Sequence, residues 1–460
     1  MRKLLCLLII LALAFAAVGA FAAPKTLMKV PMTKGGSPIK LTGKLQFDPH
    51  SLAAFKAQNH LSYAMNQKIQ QAAGKAPKNG YINGTLDTIP YFNSWFITGE
   101  HNSIYPYSMV GQNPKAGGTT TVQTEIIPLI TILTVGGNVV AIFDPLGYYV
   151  PPADQDTDVN LEAESPMYDA TTTYPGPPAD TGQIVDTAQR VAFRATRAAN
   201  WHTYLNAVPD PLYGWQQTLE YNNGDWTTLC CDPNGNQVPV FNINTISTNF
   251  AYILSYPGEL STTTNNIVPV IVTDYLTAFD PAGGCCVLGY HSAQPGVFDP
   301  AGVLVWTWGT YIPHNLDQGL LNPFGGNFGA DTMVLSHEIS ELVNDPFVQT
   351  TGTLVSPWID GSVSFYQTNL ETGDVIEGMQ PADVIYNVPL NTTTGPYTYT
   401  LQNTATLEWF TRNPLSGGIY SWPNEHTLGQ AAHGANCNAP GVCSWLYGQG
   451  SGAFAFGPPY

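Results

Sequence analysis

Charge is scarce in this chain, and positive charge scarcer still: Asp, Glu, Lys and Arg make up 11% of 460 residues, with 16 basic side chains against 33 acidic ones. A formal charge of −17 leaves no basic surface for a phosphate backbone, so nucleic-acid binding is not expected. Beyond residue 22 no apolar run approaches the roughly 20 residues that span a bilayer, so no membrane anchor is expected. The chain also lacks Cys-x-x-Cys spacing, a Gly-x-Ser-x-Gly elbow, a phosphate loop and a dinucleotide fingerprint. Those absences argue against nucleotide chemistry and an elbow-type serine hydrolase.

What is present begins with Met1-Arg2-Lys3, an apolar run from Leu4 to Val18, and Ala20-Phe21-Ala22. This pattern predicts a signal peptide over residues 1–22 and an exported mature protein, secreted or periplasmic. Cys6 leaves with the signal, and Cys230, Cys231, Cys285, Cys286, Cys437 and Cys443 remain. An even number outside the cell favours disulfides. Adjacent cysteines form a strained ring, so pairing between the 230/231 and 285/286 doublets is expected, with Cys437 joined to Cys443. A thiolate metal site is the rival reading.

With 44 Gly, 37 Pro and many aromatics, the chain predicts short strands and long loops. The expected fold is α+β: one large β-rich domain over residues 81–460, stapled by disulfides, behind an N-terminal extension or propeptide-like helix in 23–80. Strands are predicted over Ile89 to Ile97, Thr119 to Thr134, Asn138 to Asp144, Thr248 to Leu254, Ile267 to Leu276 and Val303 to Trp308. A helix is predicted over Ile184 to Leu205, with His202 capping or packed near its end. Residues 150–182 read as a surface loop. Asp154, Asp156 and Asp158 alternate there like the start of a calcium loop, but Val159 replaces the turn glycine.

The chemistry concentrates in Ser336-His337-Glu338-Ile339-Ser340-Glu341. A helix is expected over 331–345, capped by Asp331 and stopped by Pro346. At roughly 100° per residue, Leu335, Ile339, Leu342 and Val343 form an apolar stripe. His337 and Glu341, four apart, point to the other side, toward a cleft or solvent, where both can grip one metal ion.

The order Gly289-Tyr290-His291-Ser292, His337-Glu338-Ile339-Ser340-Glu341, Asn344-Asp345-Pro346, Trp358 and Glu371-Thr372-Gly373-Asp374 resembles the Exordium (phosphate-induced) family of secreted proteins. It is more similar still to exported bacterial proteins that share a zincin-like His-Glu-x-x-Glu helix followed by Glu-x-Gly-Asp. The resemblance covers roughly residues 285–415 and is weaker over 81–280. The plant members are associated with cell walls and growth, and Val375-Ile376 stand where those members commonly carry a cysteine.

In a zincin, His-Glu-x-x-His supplies two imidazoles and a water-activating glutamate. Glu341 replaces the second His here, which makes the site harder and more anionic. The expected ligands are His337, Glu341, Glu371 and Asp374, with Asp345 the local alternative. Zinc is the first expectation, with calcium or manganese suited to a more oxygen-rich set. Glu338 is the expected general base of a metal-dependent, peptidase-like hydrolase, and His291 or His314 could donate to an oxyanion. The competing expectation is a non-catalytic extracellular or cell-wall protein that binds peptide or polysaccharide. Ten Trp and 24 Tyr serve such a protein as binding platforms, or else fill its core. A glycosidase using Glu338 with Glu341, or Glu371 with Asp374, is a further alternative.

Overall fold

The computed structural model describes residues 27–31, 89–98, 103–147, 157–176, 179–209, 213–230, 237–256, 260, 267–280, 284–295, 303–312, 329–348, 354–360, 365–377, 384–411, 419–428 and 455–456. The signal segment, the propeptide-like helix (expected at Ser51 to Ala73 within 23–80), Asp154, Asp156, His314, Cys231, Cys437 and Cys443 lie outside the described residues.

The chain is β-rich and broadly α+β. Its main sheet is built from β1 (Leu27–Pro31), β2 (Gly118–Val135), β3 (Asn138–Phe143), β4 (Trp201–Pro209), β5 (Tyr213–Glu220), β6 (Ile267–Asp274), β7 (Gly289–Pro295) and β8 (Val303–Tyr311). The strand β2 runs for 18 residues and organises the rest. Along one side it pairs in parallel first with β4 and then with β5; along the other it pairs in parallel with β6. Beyond β6 lie β8, parallel to it, and then β7, antiparallel. At the far edge β1, from the segment expected to be an extension, pairs antiparallel with β5.

Alternation follows burial. Val122, Ile126 and Ile130 enter one core with Val270 and Val272, whereas Ile127, Leu129 and Leu133 enter another on the opposite face with Ile271, Trp306 and Trp308. Both faces of β2 are therefore covered, which is why its middle reads as a continuous apolar run. Trp306, Trp308, Trp409 and Trp422 are all buried, so for these four the core reading holds and the platform reading fails.

Three local expectations are corrected. The helix expected over 184–205 ends at Ala192, and residues 201–209 form β4 instead. Trp201, Thr203 and Leu205 are buried in alternation with partly exposed His202 and Tyr204, a period of two that pairing with β2 enforces. The strand expected over 248–254 lies inside a helix, Ile243–Ser255, whose buried Ile246, Phe250, Ile253 and Leu254 follow helical spacing. Asn242 caps it, accepting from the Asn244 N–H at 3.0 Å. The expected surface loop at 150–182 contains a helix, Asp158–Ala163, and buries Leu161, Met167 and Tyr174. His202 is packed, as expected, against the buried Asp186 at 3.0 Å.

The helix that carries the motif, α1 (Met333–Asn344), begins two residues later than expected. Asp331 does not cap it. Its backbone has φ +61°, and its carboxylate accepts from Tyr311 Oη at 2.6 Å and the Thr400 N–H at 2.7 Å. The helix lies on the antiparallel β7–β8 pair, with Leu335, Ile339, Leu342 and Val343 in the core. Each such burial contributes about 1.5–3 kcal/mol. Close approach depends on two glycines. A Cβ on Gly309 would sit 2.6 Å from Leu335 Cδ2, and one on Gly289 would sit 2.8 Å from Glu338 Cγ.

The expected cysteine partners fall in a second sheet: Cys230 ends one outer strand, Trp226–Cys230, and Cys285 and Cys286 lie on the opposite outer strand, Gly284–Val287. Among the described residues no helix is long and apolar enough to cross a membrane.

Candidate metal centre

The face of α1 opposite its apolar stripe meets two other pieces of chain. One is β9 (Gly395–Gln402), the other the segment Glu371-Thr372-Gly373-Asp374 that leads into a short helix, Asp374–Glu377. Serines fasten the joint: Ser336 Oγ accepts the Gln402 N–H at 2.9 Å, and Ser340 Oγ is 3.2 Å from Thr372 Oγ1. The Ala405 N–H donates to the Thr372 carbonyl at 2.7 Å. The 371–374 segment is thus held by backbone and side-chain hydrogen bonds rather than by apolar burial alone.

His337 is fixed by Gln402. The Gln402 side-chain amide donates from Nε2 to the Gly373 carbonyl at 2.8 Å, which turns its Oε1 toward His337 Nδ1 at 3.0 Å. An acceptor at that place puts a hydrogen on Nδ1 and leaves Nε2 for a cation. Nε2 in turn lies 3.3 Å from Glu341 Oε1 and 3.3 Å from Asp374 Oδ1. Lone pairs facing one another this closely call for a positive charge among them.

Glu341 is only 3% exposed in its side chain, so it faces neither an open cleft nor solvent. Its Oε1 accepts the Gly373 N–H at 2.9 Å and the Asp374 N–H at 3.3 Å. Its Oε2 faces the other way, 3.4 Å from Nδ1 of His291, which arrives from β7. The same His291 nitrogen is 3.5 Å from Glu338 Oε2, while His291 Nε2 is 3.9 Å from Glu371 Oε2. That Nε2 atom is buried and has no hydrogen-bond partner.

Electrostatics follow from this packing. Burial pushes His337 and His291 down, but the carboxylates around them outweigh burial and hold both imidazoles well above their ordinary range. For Glu341, burial pushes upward and loses to the two imidazoles, so it ionises far below the usual carboxylate range. Glu338 is raised by burial, against the pull of His291 and His337. Glu371 is raised strongly by burial and then by its neighbour Glu341. The cluster as it stands is held together by protons where a metal would replace them.

Two sets of donors converge to within 4.8 Å among the described residues: His291 with Glu341 and Glu371, and His337 with Glu338 and Glu341. Buried groups of this kind can hold a metal ion. Donor separations of 3.3–3.5 Å match the edges of a coordination polyhedron with metal–ligand distances of about 2.0–2.2 Å.

Of the residues singled out from sequence, His337, Glu338, Glu341 and Glu371 are brought together, and Asp374 touches His337 at the rim with 24% of its side chain exposed. Asp374 and Asp345 belong to neither converging set. His291 enters as a candidate ligand rather than only as an oxyanion donor. Its signal in the sequence was its place in Gly289-Tyr290-His291-Ser292, a stretch that reads as a turn but is the start of the strand β7, whereas nothing marked Gln402. Compared with protein-family models, curated proteins and solved structures, the chain has no match.

Proposed function

We propose that this chain is an exported, divalent-metal-dependent hydrolase of peptidase-like type, acting on extracellular peptide or ester carbonyls. The observation that carries the reading is the convergence of His291, Glu341 and Glu371 in a buried cluster beside His337 and Glu338. Zinc is the first choice of ion, because each donor set brings an imidazole to its carboxylates; manganese or calcium suits the oxygen-rich remainder. When bound, such an ion polarises a carbonyl and acidifies a water.

The chain's own part is proton handling and alignment. Glu338 takes up a proton from the attacking water and returns it to the leaving group, the role its place beside His337 on the helix suits. His291, 3.5 Å from Glu338, orients that carboxylate. Gln402 keeps His337 in one tautomer, and the Gly373 and Asp374 N–H groups fix the rotamer of Glu341. Asp374, the most exposed of these acids, marks the side from which substrate enters.

A second reading, a structural ion in a non-catalytic wall- or polysaccharide-binding protein, is favoured by the deep burial of Glu341 and His291, 3% and 5% exposed. Metal analysis with peptide and ester panels on wild type, Glu338→Gln and His337→Ala separates the two. Catalysis requires metal retained and turnover lost in the first variant, with both lost in the second. Metal without turnover in wild type supports the structural ion, and a wild type that takes up no metal contradicts both.

A further inference from the structure

We propose that the cluster is a two-ion centre in which Glu341 bridges two divalent cations, one held with His337, beside the general base Glu338, and the other with His291 and Glu371. This rests on reading the cluster as a metal centre and goes beyond it, since the zincin pattern places one ion on one helix.

Three observations carry it. The two converging donor sets share Glu341 and nothing else, and neither contains both imidazoles. An ion at one set therefore leaves the other histidine among buried carboxylates. The two oxygens of Glu341 face opposite partners: Oε1 is 3.3 Å from His337 Nε2, and Oε2 is 3.4 Å from His291 Nδ1. Each separation is what a shared ion with bond lengths of about 2.0–2.2 Å produces. The side chain is locked in this posture by two backbone N–H groups on Oε1, so it does not swing to serve a single ion.

Charge gives the second argument. With neutral imidazoles, Glu338, Glu341, Glu371 and Asp374 carry four negative charges in one poorly solvated place. A single divalent ion balances two of these charges and leaves the other two to be balanced by protons. A second divalent ion takes the place of those protons and brings the group to neutrality. Asp374, at the rim beside His337, supplies the fourth charge without entering either set.

The third argument is where His291 comes from. Its side chain, 5% exposed, reaches the cluster from a separate element, β7, and its Nδ1 lies 3.4 Å from Glu341 Oε2. A second ion therefore has a nitrogen ligand that the helix does not supply.

Metal content of the whole mature protein, equilibrated with Zn²⁺ and dialysed, tests the proposal. Two zinc ions per chain are expected in wild type, one in His291→Ala, one in His337→Ala, and at least tenfold weaker retention of both in Glu341→Gln. One ion per wild-type chain overturns the two-ion proposal and leaves the metal-centre reading standing. None overturns both. A second ion that survives all three substitutions binds elsewhere and also overturns it. Should the variants misfold, Mn²⁺-loaded wild type decides alone. Ions about 3.5–4 Å apart give an exchange-coupled electron paramagnetic resonance signal, whereas an isolated six-line spectrum contradicts the bridge.

Discussion

Gly373→Ala is the most informative single change, because its effect follows from one close contact. A Cβ at position 373 would lie 2.4 Å from His337 Nδ1 and 2.6 Å from both Cε1 and Cγ, where ordinary contact begins at 3.4 Å. The backbone there is not in the left-handed region, so the penalty is steric rather than conformational. The imidazole is a rigid ring, and residue 373 is pinned through its N–H to Glu341 and its carbonyl to Gln402. Something must move by about 1 Å. Moving the ring breaks its hydrogen bond to Gln402 and its approach to Glu341; moving the loop breaks the loop's own bonds. Either way the orientation of a ligand is lost, which typically costs 10–100-fold in metal affinity, or about 1.4–2.7 kcal/mol. Overpacking should cost about 1–3 kcal/mol of stability in the metal-free protein. Competition titration with a zinc-chelating dye measures the first quantity and urea unfolding the second. Zinc affinity equal to wild type in a stably folded Gly373→Ala protein would refute the placement of His337 against this glycine and its part in the centre.

Glu338→Gln should keep metal within about threefold and lower kcat by about 10²–10⁴-fold on whichever substrate the panels reveal, the range expected for loss of a general base. Leu335→Ala, at a side chain with no exposure packed over Gly309, should cost about 2–5 kcal/mol in urea unfolding of the metal-free protein; a loss under 1 kcal/mol would deny that the helix docks through this face. Asp274 gives a pH dependence independent of the metal centre. Burial, reinforced by the neighbouring Asp144 carboxylate and opposed by the Asp144 N–H, raises its folded pKa to about 8. Between about pH 4 and pH 8 the folded state then holds a proton that the unfolded state has released. Its contribution is present in full below pH 4 and declines by up to about 1.4 kcal/mol per pH unit as pH rises. Asp274→Asn should flatten that slope; parallel pH–stability curves for the two proteins would show that Asp274 ionises normally.

The helical half of the centre was legible because its information is local. His337, Glu338 and Glu341 lie within one and a half turns, and the apolar positions between them dictate which way they face. Glu371 and Asp374 were readable only from their order downstream. His291 and Gln402 reach the site through strand pairing and sheet packing over dozens of residues, and no local pattern records that. The same limit explains the misread elements. Residues 248–254, with Thr248, Phe250, Tyr252 and Ile253, suggest a strand, yet the Asn242 cap and burial at helical spacing decide for a helix. Residues 201–209 continue a helical pattern on paper, but β2 offers a parallel edge that takes them as strand. Asp331, a natural cap by type, is drawn off by Tyr311 and Thr400, which sit far from it in sequence.

X-ray absorption at the zinc edge of the zinc-loaded protein tests the central claim most directly, because it reads the ligand atoms themselves. The His–carboxylate centre predicts a shell of nitrogen and oxygen at about 2.0–2.2 Å with outer-shell scattering from imidazole. A sulfur shell at about 2.3 Å would instead place the ion on the cysteines, and zinc lost on gel filtration would leave the cluster without a metal to hold.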